Sequence, residues 1–401
     1  MIQESVFDFP RFRSSHGVRP RDWFPTTDWA HVGTPEDLDE LPPESTAISM
    51  RNVSAELAHR LPRSTRALQL SWCPGVSDKA VRRMAQLPAL EWLYLDHPLN
   101  PQLSKQALAP LTDLPGLWGL AIRARPEEEG TPFLAAEHLA PLAGIPLRSM
   151  SLVNHPGLED LSWMGPMPQL TRLDLSGCPV LRGLSVVGVK TLFMDARRQM
   201  TEDTWEAIGR LGGLTQLSVC NRSGAGGLLD NDALEVAWLY GSRGLAVRSP
   251  RLQTMDLGDT PIPSAEALAR YDGLGALRLP GHRLSAAHLE ALGSLQALWI
   301  EGGAPKLKPD HWAGLHRCER LTLACALKLN ARHLSALAAL QLSELHILKG
   351  AERLRPRDLA ALGSLDAARW IHLDGCRDVD ALRVALPGAR VTTEPSERVS
   401  R

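Results

Sequence analysis

No uninterrupted apolar run of about 18 residues occurs in the chain, which excludes an ordinary membrane-spanning helix. The first ten residues, Met1 to Pro10, lack a basic start followed by an apolar stretch, so no signal peptide is expected. Cysteine is scarce: the six are scattered singly with no C-x-x-C pair, which argues against a zinc knuckle or a disulfide framework. These absences together make the cytoplasm the expected compartment. An excess of charge is also missing, since 44 basic side chains face 45 acidic ones and the net charge is -1. No global field therefore favours nucleic acid or an anionic membrane. Lysine is rare as well, accounting for seven of the 44 basic residues. That bias suits arginine-based interfaces, but composition of a GC-rich genome explains it more simply and points to a bacterial source.

Catalytic signatures are absent too. No G-x-x-x-x-G-K-[ST], H-E-x-x-H, G-x-S-x-G or G-x-G-x-x-G turn stands in a suitable context, so no catalytic residue, cofactor or metal is expected. His346 and His372, with Asp374, fall where adjacent strands would bring them together; two surface histidines are the favoured reading over a metal or acid–base site. Cys220 and Cys325 fall near strand ends with no basic residue to activate them.

What the chain does contain is a repeated phrase, apolar-x-x-apolar-x-apolar. Leu90-Glu-Trp-Leu93-Tyr-Leu95, Leu170-Thr-Arg-Leu173-Asp-Leu175 and Leu295-Gln-Ala-Leu298-Trp-Ile300 are clear copies. Others centre on Leu120, Leu217, Met255, Leu277, Leu321 and Leu345, and weaker ones on Ile48, Leu68, Met150, Leu192 and Ile371. Successive centres lie 19 to 38 residues apart, mostly within the roughly 20–29 of a leucine-rich repeat.

Over residues 45–392, about fourteen copies, the chain resembles the leucine-rich-repeat family. Cys73, Cys178 and Cys376 each fall five residues after a centre, which resembles the cysteine-containing, ribonuclease-inhibitor-like bacterial type. Pro98, His155, Thr260, His282 and Gly303 stand at that place in other copies, so an imperfect hydrogen-bonding ladder is expected. The resemblance implies an α/β solenoid curved like a horseshoe. A parallel sheet would line its concave face, with helices and irregular turns on the convex face. Helix starts are expected at Ser77, Thr201, Ser285 and Asn330, each a residue able to cap, followed by apolar residues at helical spacing.

Residues 1–44 lack the phrase and carry Phe7, Phe9, Phe12, Trp23, Phe24 and Trp29 among prolines; a cap over the first repeat is expected. The segment 220–250 stretches one repeat and is expected to hold a helix from Asp232 to Tyr240 between glycine-rich flanks. Pro126 to Gly130 reads as a solvated acidic loop, and 393–401 as a flexible tail.

Residues flanking the central leucines should project together from the sheet, away from the core. The candidates for partner binding are Trp92, Tyr94 and Asp96, then Arg123, Arg172 and Asp174, then Phe193 and Asp195. Further along come Asp256, Arg278, Trp299 and Glu301, with Arg320, and finally His346, Trp370, His372 and Asp374. Aromatics make up only 5% of the chain yet recur at these places, which suits interface anchors. Acidic and basic residues alternate there, unlike a phosphate-tracking surface, so the expected partner is a protein and the unbound chain a monomer. Scaffold, secreted effector and immunity protein against a toxin all lie within that class. An enzyme with a site beside 220–250 is the competing class.

Overall fold

A computed structural model describes residues 28–393, apart from breaks at 74–75, 97–102, 125–133, 156, 166, 179–183, 185–187, 196–200, 222–225, 243–244, 304–305, 326 and 378. Residues 1–27 of the cap expected over 1–44, the acidic loop expected at 126–130 and residues 394–401 of the expected tail lie outside the described residues. The chain forms two compact units, one ending at Ala233 and one starting at Leu234.

In the first unit the strands are β1 (Ala30–Val32), β2 (Ala47–Arg51), β3 (Ala67–Ser71), β4 (Trp92–Asp96) and β5 (Gly119–Arg123). They continue as β6 (Ser149–Val153), β7 (Arg172–Asp174), β8 (Thr191–Asp195), β9 (Gln216–Cys220) and β10 (Gly227–Asp230). From β1 to β9 each strand pairs in parallel with the next. Ile48, Leu68, Leu93, Leu120, Met150, Leu173, Leu192 and Leu217 stand in one register. Every centre of the repeated phrase is thus the same place on its strand.

The second unit holds β11 (Val236–Tyr240), β12 (Leu245–Arg248), β13 (Thr254–Asp256), β14 (Ala276–Pro280) and β15 (Ala297–Glu301). It ends with β16 (Arg320–Ala324), β17 (Glu344–Ile347), β18 (Trp370–Leu373) and β19 (Arg390–Thr392). Strand β11 pairs in parallel with β13, and β13 to β19 continue side by side. The helix expected over Asp232–Tyr240 is not formed: Val236–Tyr240 is strand. Leu234-Glu-Val-Ala237-Trp-Leu239 is one more copy of the phrase, with Ala237 aligned to Met255. Alanine at the centre hides the copy from a search for leucine. It still suits a fully covered strand, where side chains on both faces pack.

We number each strand so that the central apolar residue is position 2. Positions 2 and 4 turn inward, as in Leu93 and Leu95, both at most 1% exposed. The returning segments bury apolar residues as well, such as Val81, Met84 and Leu90 ahead of β4. Each fully buried leucine contributes about 1.5–3 kcal/mol, and only stacked neighbours can cover it. The returns are short helices (Asp78–Met84, Glu202–Gly209, Ala286–Ala291, Ala331–Ala338) or 3₁₀ turns (Ala55–Arg60, Ala109–Asp113, Pro309–Leu315). Ser77 and Asn330 cap their helices by accepting the Ala80 and His333 amides. Thr201 and Ser285 begin helices as expected, but their hydroxyls meet Thr204 and His288 side chains instead.

After each strand the chain must turn sharply, and position 6 often adopts a left-handed backbone: Asn52, Trp72, Asn154, Gly177 and Gly375 have φ between 57° and 75°. That turn aims position 7 back at the preceding strand. Cys73 donates to the Met50 carbonyl (3.5 Å) and Cys178 to Leu152 (3.0 Å). His155 Nε2–H donates to Ile122 (3.2 Å), and the Thr260 hydroxyl to Leu239. All four acceptors are position 4 of the strand before. The ladder is therefore more regular than the residue types suggest: thiol, imidazole and hydroxyl make the same bond.

His155 is fully buried, and burial pushes its imidazole down to about 4. Unfolded, it binds a proton near its ordinary 6.5, so acid favours the unfolded chain. The stability this neutral histidine contributes is complete above pH 6.5 and is lost as pH falls toward 4, by about 3 kcal/mol in all. Replacing His155 by Asn keeps a donor without a titrating ring. Urea unfolding at pH 7 and pH 4.5 should show a smaller acid loss in His155→Asn than in wild type.

Candidate functional site

Positions 1, 3 and 5 face away from the leucine core and form columns across each sheet. In the first unit, Trp92 and Tyr94 occupy positions 1 and 3 of β4 and stack almost parallel, centres 5.8 Å apart and planes at 6°. Trp29, just before β1, meets Trp92 edge-on at 6.1 Å. Their strands are three steps apart, roughly 14 Å, so the rings touch because Ala47 and Ala67 fill the column between them. On the other side stands Gly119, where a Cβ would lie 2.2 Å from Trp92 Cδ1. Ala121 extends the same clearing beside Tyr94.

Trp92, expected to be open to a partner, is 1% exposed and Tyr94 6%. Small residues on the flanking strands let the rings lie flat along the sheet, so burial replaces presentation. Phe193 is buried too, in a row with Asp174 and Ser218. Asp174 is fully buried: it accepts the Ser176 amide (2.9 Å) and the Ser151 hydroxyl (3.1 Å). Asp96 is buried with Arg123 at 4.0 Å. Arg123, Arg172 and Asp195 are half-buried. The first unit's outer face is thus largely self-satisfied.

The second unit keeps more of its outer face open. Arg278, Trp299, Glu301, Arg320, His346, Trp370 and Asp374 are half-buried, whereas Asp256 and His372 are buried. Asp256 again turns onto its own backbone, accepting the Gly258 amide (2.8 Å). It also accepts the Tyr240 hydroxyl (2.9 Å) and Arg278 Nη1 (3.3 Å). Burial pushes its carboxyl up despite the Arg278 charge. Arg278 also bonds Glu301 through Nε (2.6 Å) and lies over Trp299, 5.1 Å from the ring centre. Burial opposes the Arg278 charge, but Asp256 and Glu301 outweigh it and hold its pKa up. Tyr240 is not among the sequence candidates, because the helix expected over Asp232–Tyr240 hides its strand.

A second cluster stands on β17–β19. His346 and His372 are direct cross-strand neighbours with ring centres 5.9 Å apart. His346 meets Trp370 edge-on at 4.5 Å, and its Nε2 is 3.8 Å from Glu344 Oε2. His346 beside Glu344 holds that carboxyl below its ordinary range. Thr392 Oγ1 accepts Trp370 Nε1–H (3.2 Å) and is 2.9 Å from His372 Nδ1. Burial, then the charge of His346, pushes His372 down. Arg390 lies over Trp370 at 5.8 Å. Thr392 and Arg390 are not among the sequence candidates, because β19 carries no leucine to mark it.

Burial pushes the thiols of Cys73 and Cys325 up to about 11 and those of Cys178 and Cys318 up to about 12. They stay protonated at neutral pH and are poor nucleophiles. Among the described residues no group of three or more His, Cys, Asp or Glu side chains is placed to hold a metal, and no helix is long and apolar enough to cross a membrane.

No family model and no curated protein matches the chain. Solved structures do. The glycosylated form of the Toll–Spätzle complex from Drosophila matches with a TM-score of 0.54 at 16% identity, covering 91% of this chain and 54% of that one. The fold is a leucine-rich-repeat solenoid. The other Toll–Spätzle structure matches at 0.50 with 14% identity over 91% of this chain and 54% of that one. This chain thus spans about half the length of the Toll chains. A leucine-rich-repeat protein of Leptospira interrogans matches at 0.41 with 14% identity, covering 90% of this chain and 99% of that one. At such identity the likeness concerns fold alone.

Two substitutions test these packings. Gly119→Ala forces a Cβ into the buried Trp92 ring and should cost about 1–3 kcal/mol. Arg278→Met leaves the Asp256 carboxylate buried without its cation and should cost about 3 kcal/mol, reduced when combined with Asp256→Asn. Denaturant unfolding of the single and double variants measures both.

Proposed function

We propose that the chain is a non-catalytic recognition protein that binds a protein partner through the outer strand face of its second unit. The observation behind this is the set of half-buried aromatics carrying arginine on that face: Trp299 under Arg278, and Trp370 under Arg390. Such pairs offer broad apolar contact with a charged rim and lose little side-chain freedom on binding, as interface anchors do. Alternating charges around them, from Asp256 through Arg278 to Glu301 and from Arg320 to Glu344, favour a partner with its own mixed charge over a polyanion. Toll, a chain of like fold, stands in complex with Spätzle, which illustrates the use of this frame without fixing a partner here.

Within this reading, we place the chain in a bacterial cytoplasm as a binding or scaffold protein, a setting in keeping with its arginine-rich composition and singly scattered cysteines. An immunity protein against a toxin and a secreted effector are narrower versions of the same role, and the cysteine-containing repeat type is the subtype we favour. An enzyme with a site beside residues 220–250 is the weaker alternative.

Affinity capture with the full chain should retain a partner that Trp299→Ala/Trp370→Ala releases while unfolding at the wild-type denaturant concentration. Equal retention by the folded double variant would defeat the proposal. Trp92 and Tyr94 are unsuitable for this purpose, because removing them tests folding.

A further inference from the structure

We infer that His346 and His372 form an open two-imidazole site for a borderline divalent metal ion, of the Ni²⁺ or Zn²⁺ kind. The two residues occupy position 3 of neighbouring parallel strands, so the backbone fixes them side by side on one face. Two imidazoles holding one ion at about 2.1 Å in tetrahedral geometry place their ring centres roughly 5 Å apart. The observed separation is 5.9 Å; a small change in χ1 of the half-buried His346 closes the difference, and its soft terminal torsion then aims a ring nitrogen.

The two nitrogens of His372 have different surroundings. Nδ1 is tied to Thr392 Oγ1 at 2.9 Å, and that oxygen is itself fixed by Trp370 Nε1–H. Nε2 is buried and has no hydrogen-bond partner among the described residues. With the ring proton on Nδ1, donated to Thr392, Nε2 presents a lone pair to a ligand. A hydrogen bond on the far nitrogen is what orients metal-binding histidines and sets their tautomer.

His346 supplies the second lone pair and is half-buried, leaving an approach from solvent. Its Nε2 lies near Glu344, whose carboxylate adds favourable charge beside an incoming cation. No third protein ligand completes the shell among the described residues, so water fills the remaining positions. Such a donor set selects Ni²⁺, Cu²⁺ or Zn²⁺ over Mg²⁺ and Ca²⁺, which prefer oxygen. The site shares Trp370 with the recognition face but uses neither Arg278 nor Trp299, and metal uptake is read without any protein partner, so its failure is distinguishable from failure of the recognition reading.

The test is calorimetric titration of metal-free full-length protein with NiCl₂ at pH 7.5, repeated with MgCl₂. Wild type should take up one equivalent of Ni²⁺ that His346→Gln and His372→Gln lack, with no heat from Mg²⁺. Thr392→Val, which removes only the orienting hydroxyl, should weaken that equivalent about tenfold. His346 is partly exposed, so His346→Gln decides the matter even if His372→Gln fails to fold. No saturable uptake by wild type, or the same uptake by folded His346→Gln, overturns the inference.

Discussion

Each repeat owns a leucine that it cannot cover. A five-residue strand has one inward face and no second layer, so Leu93 or Leu298 reaches zero exposure only when a neighbour's strand and return close over it. Register follows, because a slip by one residue would send every leucine of a strand to the other side. The in-register series from Ile48 to Leu217, and from Ala237 to Val391, is the outcome. The turn at position 6 and the bond from position 7 serve the same end, since they tie each turn to the position-4 carbonyl of the strand before.

Register also decides what the outer face becomes. Columns of like position bring residues far apart in sequence to about 5 Å, so each outward side chain is judged by its neighbours in the column. Trp92 lies between alanines and a glycine and spreads over them. Trp299 stands between Arg278 and Thr322, and the guanidinium settles on its ring. The same residue type is a core element in one unit and a half-open platform in the other.

Charge behaves similarly. Asp174 and Asp256 both follow a central apolar residue and look outward in sequence, yet each turns onto the amide two residues ahead. A carboxylate that accepts its own backbone can be buried at modest cost, and a neighbouring cation or hydroxyl then completes its shell. Arg278 serves Asp256 in this way while also reaching Glu301 and Trp299. It therefore joins the internal network to the part of the face left open.

Periodicity alone determined the fold class, the strand register, the alternation of faces and the four helix starts at Ser77, Thr201, Ser285 and Asn330, because a leucine every other residue on each strand admits one way of stacking. It missed the copy at Ala237 and the strand at Arg390–Thr392, where leucine is replaced and the cue is lost although the backbone pairing is kept. Exposure was decided by tertiary structure: Trp92, Tyr94, Phe193, Asp96, Asp174, Asp256 and His372 are buried by partners up to 63 positions away, as Trp29 is from Trp92. Which face a side chain takes is a property of its own strand, but what covers it belongs to the neighbouring ones, and no local pattern carries that information.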